Sequence, residues 1–189
     1  MTLNISGVRD IVRVLSISKD TVTAVIKKTL KTNPYFHTGG ETDKMDHLEV
    51  EIRFSAGPDE FWSFVQKKSN HRWTWYAIER RIGCILSRHN GKRQDNDFLI
   101  LWELLQQYPV SVYHTDNWGS YSKYIPAGMH RIGKDNTWKI GRKNLNFRTH
   151  IKRLHRKTIC FSKNEQIHDN VIGMYIEAFY YKTGTYGNN

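Results

Sequence analysis

The sequence predicts an α/β protein: a mixed sheet flanked by helices, preceded by a small all-α segment. Between residues 61 and 89 three aromatic or β-branched runs are separated by short polar turns, as in an antiparallel meander. Beyond them the chain alternates between helical periodicity and short apolar runs, the mark of helices laid on a sheet. The first thirty residues carry apolar side chains at helical spacing.

Val8, Ile11, Val12 and Leu15 follow i, i+3, i+4, i+7 and predict a first short helix. Ser16-Ile17-Ser18 breaks the pattern, and Ser18 is placed to cap a second helix with Val22, Val25 and Ile26 as its apolar stripe. That stripe leaves Lys19, Asp20, Thr21, Thr23 and Lys27 pointing outward. The layout fits a helix-turn-helix whose second helix would enter a major groove, and equally an ordinary helical hairpin. Residues 31–47 are polar, contain Pro34, Gly39 and Gly40, and read as a linker.

Phe61–Val65, Arg72–Glu79 and Gly83–His89 are the expected meander strands. Asp95 is expected to cap a helix burying Phe98, Leu101, Trp102 and Leu105. Val110–Thr115 reads as a short strand ending at Asp116, and Met129–Lys134 as another. A basic helix is expected from about Thr137, with a last helix over roughly Glu165–Tyr180. Three strands, a helix, a strand, then a strand and a helix is the order an RNase H-like core requires. The chain thus divides into residues 1–30, a helix-turn-helix segment; 31–47, the linker; 48–182, the core with its basic helix; and 183–189, a disordered tail.

Composition narrows the function. The formal net charge is +11 and the sequence pI about 9.7, which favours an anionic partner, nucleic acid before an acidic membrane surface. No apolar run approaches the roughly 20 residues of a membrane span, and Met1 is not followed by a secretion signal. Cys84 and Cys160 are too few for a disulfide framework or a four-cysteine zinc site; both read as small buried side chains in a reduced cytosol. The charge is concentrated: eight Lys or Arg lie from Lys139 to Lys157, with no Asp or Glu between Asn136 and Asn164. Ile140, Phe147, Ile151 and Leu154 give the same stretch one apolar face, so a helix there can pack while its basic side meets phosphates.

The stretch from Thr137 to Lys163, with Thr115-Asp-Asn-Trp-Gly-Ser-Tyr121 and Asp59-Glu-Phe-Trp-Ser-Phe-Val65, resembles the transposases of the insertion-sequence-one (IS-one) family, from about Gly7 to Tyr181. The resemblance implies a DDE transposase with an RNase H-like core. Such an enzyme binds double-stranded DNA at element ends, cuts it, and joins the freed 3′ hydroxyl to target DNA, working as a homo-oligomer in a DNA complex. It implies two Mg²⁺ (or Mn²⁺) ions held by three carboxylates, and a bacterial or archaeal cytosolic, nucleoid-associated setting. It also gives the N-terminal helix pair a DNA-binding role, through Lys19, Thr21, Thr23 and Lys27. Arg142, Asn144, Arg148, Lys152 and Arg153 match the family's basic helix, and phosphate contact is the role it implies for them.

Residue by residue, Asp59 and Asp116 match two of the metal-binding carboxylates. The third is missing: the family reads Ile-Glu-Arg-x-Asn-Leu-x-x-Arg where this chain reads Ile140-Gly-Arg-Lys-Asn-Leu-Asn-Phe-Arg148, so Gly141 stands where the Glu is expected. Asp135, six residues upstream, is off the helix face of Gly141 and is a poor substitute. The family also runs a Leu-Glu-x strand directly into Asp-Glu-x-Trp. Here Glu51–Pro58 separate Leu48-Glu49-Val50 from Asp59, which makes Glu51 a rival for the first carboxylate. Gly57-Pro58 is a turn signal. The chain begins after the family's Cys-rich zinc-binding segment, so impaired end recognition is expected. A non-catalytic DNA-binding remnant or regulator that occupies element ends is the alternative; a membrane-surface or RNA-binding module would rest on charge alone. His114, on the strand face of Asp116, and His168 read as structural histidines.

Overall fold

The computed structural model describes residues 8–28, 34, 48–54, 62–81, 83–133, 146–154 and 161–181. Two short helices come first, α1 (Val8–Leu15) and α2 (Lys19–Lys28), and the sheet is built from β1 (Leu48–Phe54), β2 (Trp62–Phe64), β3 (His71–Glu79), β4 (Ile85–Gly91), β5 (Val110–Thr115) and β6 (His130–Ile132). Helix α3 (Asp95–Leu105) joins β4 to β5 and α4 (Gly119–Tyr124) follows β5. Residues 146–150 are helical (α5) and α6 (Glu165–Ile176) runs on into a π-helical turn, Glu177–Tyr181.

Strand β3 is antiparallel to β4 on one edge and to β1 on the other, β5 is parallel to β1, and β6 is parallel to β5. The sheet order β4-β3-β1-β5-β6, with helices on both faces, is that of an RNase H-like core. Strand β2 also pairs with β3, and Trp73 bonds β4 on its other side, so β2 lies on the same edge as β1. Phe54 is opposite Trp75 and Trp62 is opposite Trp73. The first strand is therefore interrupted: residues 55–61 connect two pieces that the partner strand passes with Thr74 alone between them. This is the physical form of the insertion read in the sequence.

One face of the sheet carries Leu48, Val50, Ile52, Trp75, Ala77 and Tyr113 against Phe98, Leu101 and Leu105 of α3 and Tyr121 of α4. The other carries Tyr76, Ile78 and Ile85 against Phe147, Ile151 and Leu154, and against Val171, Ile172, Tyr175 and Ile176 of α6. Cys84 is buried in the first cluster. Period-two alternation explains the division, because neighbouring strand residues point to opposite faces.

Several expectations need correction. The N-cap of α3 is Gln94, not Asp95; Asp95 sits in the first turn, where it accepts hydrogen bonds from Ser120 Oγ and Tyr124 Oη (3.1 Å) and pairs with Lys123 (3.0 Å). It ties α3 to α4 instead of closing the helix end. The strand expected over Met129–Lys134 is only His130–Ile132, because Ala127–Met129 form a 3₁₀ turn. The basic stretch is not one helix: α5 ends at 150, and Lys152–Leu154 turn as a 3₁₀ segment. Phe147, Ile151 and Leu154 are nevertheless the buried face foreseen. Leu15 and Val25 were expected in the apolar stripes but are 49% and 57% exposed, since no described element covers that side of the helix pair.

Ser18 caps α2 as expected, its hydroxyl accepting from Thr21 N at 3.0 Å. The pair closes on Ile11, Val22 and Ile26, with Ile167 of α6 packed against them. Helix α6 is capped by Asn164, whose side chain accepts from Ile167 N at 3.0 Å. It is anchored to the first meander hairpin by Arg72 and Asp169 (Nε to Oδ1, 3.0 Å) and by His168, whose two ring nitrogens lie 2.8 Å from Ser63 Oγ and 2.9 Å from Ser162 Oγ. The linker touches the core at one described point, where Arg88 N donates to Pro34 O at 2.8 Å on the open edge of β4.

Candidate active site and nucleic-acid interface

Asp116 follows the last residue of β5, at the carboxyl end of a central parallel strand. Its Oδ1 accepts from Trp118 N at 3.1 Å, a turn that fixes the carboxylate before α4 begins. Trp118 packs on Trp75 and Tyr121, each with ring centroids 5.3 Å away, and Tyr121 meets Phe98 at 5.1 Å. The aromatic residues of the Thr-Asp-Asn-Trp-Gly-Ser-Tyr motif are thus a buttress for the acidic one. Gly119 is not required sterically, because a Cβ there would meet nothing within 4 Å. On the other side of the strand end, Thr115 Oγ1 lies 2.6 Å from His130 Nε2 of β6.

Beside β5, Val50 pairs with Tyr113 and Glu51 with His114. Paired residues leave the sheet on the same face, so Glu51 and His114 emerge together, two residues before Asp116. Glu51 is 4% exposed, an unusual burial for a carboxylate on a sheet. It directly follows Leu48-Glu49-Val50 in the sequence. Asp59 lies outside the described residues, within the 55–61 connection.

His114 carries a second group. Arg80 Nη1 is 2.8 Å from His114 Nε2 and 3.0 Å from Nδ1, while Glu49 lies 3.3 Å from His114 Nε2 and 3.5 Å from Arg80. Burial, and then the guanidinium beside it, hold His114 below the usual histidine range, against the pull of Glu49 and Glu51. A histidine on the strand face of Asp116 is what the alternation gave; its arginine partner, 34 residues away, had no sequence signal.

Gly141, Arg142 and Asn144 lie outside the described residues. Glu51 and Asp116 are oxygen donors of the type a hard divalent cation takes. Among the described residues no three His, Cys, Asp or Glu side chains gather into a group that could hold a metal. The donors fit the implied cation in kind and fall short in number.

The basic residues divide in the same way. Lys152 is exposed, and Arg148 is half-buried. Arg153 turns inward and donates to Ser162 Oγ at 3.2 Å, so part of its role is structural. On α2, Lys19, Thr21 and Lys27 are exposed, whereas Thr23 is half-buried and its hydroxyl donates to Lys19 O at 2.9 Å. Thr21 Oγ1 is 2.8 Å from Ser18 Oγ, engaged in the cap. No helix among the described residues is long and apolar enough to cross a membrane.

A mixed sheet in RNase H-like order, with acidic residues where its two central parallel strands lie side by side, defines the class. Within it, the family model described as IS1 transposase matches residues 53–182. The chain is 44% identical over 119 residues to the iso-IS1n insertion element protein InsB of Shigella dysenteriae, covering 63% of this chain and 91% of that protein. It is 38% identical over 127 residues to the IS1 protein InsB of Shigella flexneri, covering 67% and 97%, and 37% identical over 132 residues to an IS1 InsB of Escherichia coli, covering 70% and 79%. The chain belongs to the IS1 transposase family, and transposition is the function that membership implies. Asp59, Asp116 and Gly141 fall inside the matched segment; Glu51 and the N-terminal helix pair fall before it.

Proposed function

We propose that this chain binds the ends of an insertion element as duplex DNA and carries the metal-dependent cleavage and strand-transfer site of a DDE transposase between the middle of β1 and the carboxyl end of β5. The observation that supports this most is the parallel pairing of Glu51 with His114, two residues before Asp116. It sets a buried carboxylate beside the strand that leads to the motif aspartate.

Asp116 is the anchoring ligand in this reading, oriented by the Trp118 amide and the aromatic buttress. The first-strand carboxylate is Glu51, which keeps the strand position, with Asp59, which keeps the motif context, as its rival. A pair of divalent ions, when bound, would activate the attacking oxygen and stabilise the leaving one of a phosphodiester. The chain's own residues supply position and charge. Arg80 offsets Glu49 next to the site, and Lys152, Arg148 and the basic positions 142 and 143 offer cations to the phosphate backbone. The exposed α2 residues Lys19, Thr21 and Lys27 are the major-groove candidates.

Gly141 favours a second reading, a chain that occupies element ends without cutting them, because glycine offers no ligand where the family has Glu. Labelled element-end duplex separates the two, assayed for binding and for cleavage with Mg²⁺ or Mn²⁺. Metal-dependent nicking that Asp116→Asn abolishes supports the catalytic reading. Tight binding without nicking, in this chain and in Gly141→Glu alike, supports occupancy. Failure to bind duplex contradicts both.

A further inference from the structure

The turn between β2 and β3 is built against its own backbone preference. Lys67 N donates to Val65 O at 2.8 Å, a three-residue turn around Gln66, whose φ is 66°. Positive φ at the centre of such a turn is the rare, strained form, and Gln66 is not a glycine. The strain is held by contacts to the segment ahead of α6. Gln66 N donates to Ser162 O at 2.7 Å, Gln66 Nε2 to Lys163 O at 3.0 Å, and Asn70 Nδ2 to Glu165 Oε1 at 3.1 Å, while Val65 bridges to Ser162. Three exposed lysines, Lys67, Lys68 and Lys163, stand on the segments joined by this stapling. None of them has an ion-pair partner among the described residues. Glu165, on the same stapled segment, faces Arg72 (3.4 Å) and Asn70.

The same first turns of α6 seat the N-terminal helix pair, through Ile167 against Ile11, Val22 and Ile26. The lysine tip and α2 therefore share one support. We infer that Lys67, Lys68 and Lys163 form a backbone clamp for duplex DNA, gripping phosphates of the same duplex that α2 engages. This rests on the DNA-binding reading above and adds to it a contact surface outside both the helix pair and the basic stretch. A rigid cationic tip, without an ion-pair partner among the described residues, suits phosphates, which bind by charge and position and not by base sequence. The strained turn supplies the rigidity that flexible lysines on a loose loop would lack.

The test uses the full chain and fluorescently labelled element-end duplex, with binding followed by anisotropy across a salt series. Replacing Lys67, Lys68 and Lys163 together by Gln should weaken binding and make the log–log salt slope shallower by about 2–3, at roughly 0.9 for each phosphate no longer neutralised. Preference for element-end over scrambled duplex should be unchanged, and the triple Arg variant should keep the parent slope. A urea midpoint equal to the parent's establishes that the Gln variant is folded. An unchanged slope in that folded variant overturns the clamp. If Arg148→Ala with Lys152→Ala lowers the slope while the Gln variant does not, DNA binding stands and the clamp falls. If the parent chain shows no salt-dependent duplex binding, both fall.

Discussion

Glu51 on β1 and His114 on β5 are direct cross-strand partners, and Asp116 follows His114 by two residues, just past the end of β5. This sets a buried glutamate beside the strand that leads to the motif aspartate, although 64 residues of chain lie between the two acids. Glu51→Gln and Asp116→Asn should each weaken Mn²⁺ binding about tenfold or more, since each removes one charged oxygen ligand. Asp59→Asn should leave it nearly unchanged. Calorimetric titration of the three variants checks this, and a loss confined to Asp59→Asn would return the first-strand role to the motif residue.

His168 gives the fold a defined response to acid. It is 1% exposed between two serine hydroxyls, and burial, then Arg153 and Arg72, push it down to about 3. The folded value lies below the ordinary 6.5, so its contribution is complete above pH 6.5 and is lost as pH falls from there towards 3. The unfolded chain takes up the proton first. Stability should fall by roughly 1 kcal/mol per pH unit from this residue alone. Urea unfolding at pH 7.5 and pH 5 measures the loss, and His168→Gln should flatten it.

Gly91 ends β4 where Asp97 of α3 turns back on the strand. Asp97 Oδ2 accepts from Lys92 N at 3.1 Å, and Oδ1 lies 2.7 Å from His89 Nε2. A Cβ on Gly91 would collide with the Asp97 carboxylate. Gly91→Ala should therefore cost roughly 1–3 kcal/mol, as overpacking does, and lower the thermal midpoint. Because α3 supports Trp118 through Phe98, the same variant should also weaken the near-ultraviolet circular dichroism of that aromatic cluster. A midpoint equal to the parent's would mean that the β4–α3 turn relaxes freely.

Arg148 and Lys152 carry the expectation for the basic stretch. Their joint replacement by Ala should make the salt dependence of duplex binding shallower by about 2, one phosphate each at roughly 0.9. Anisotropy titrations at several salt concentrations decide it. An unchanged slope would assign both residues to packing, as Arg153 already is in part through Ser162.

Much of this was legible in the residues. Aromatic and β-branched runs gave β3 and β4, helical spacing gave α3 with its Phe98, Leu101 and Leu105 face, and the strand before the motif string, with Asp116 just past its end, was readable as well. Phe147, Ile151 and Leu154 were readable as one apolar face, though not that the helix stops at 150. What stayed hidden depends on long-range register. No local pattern says that β1 and β2 lie in line along β3, or that Glu51 falls beside β5. Asp95 looked like a cap because Asp often caps, but its partners come from α4, 25 to 29 residues on. Leu15 and Val25 fitted a helical stripe, but a stripe cannot tell that nothing described packs over its far side.

In the proposed reading the chain is a transposase scaffold centred on Asp116 and short of one ligand at position 141. Mn²⁺-dependent nicking of element-end duplex by the chain, by Gly141→Glu, and by Gly141→Glu combined with Asp116→Asn tests it. Nicking should rise by orders of magnitude with Gly141→Glu and disappear when Asp116→Asn is added. Equal nicking with and without Asp116, in folded protein that binds the duplex, would contradict it.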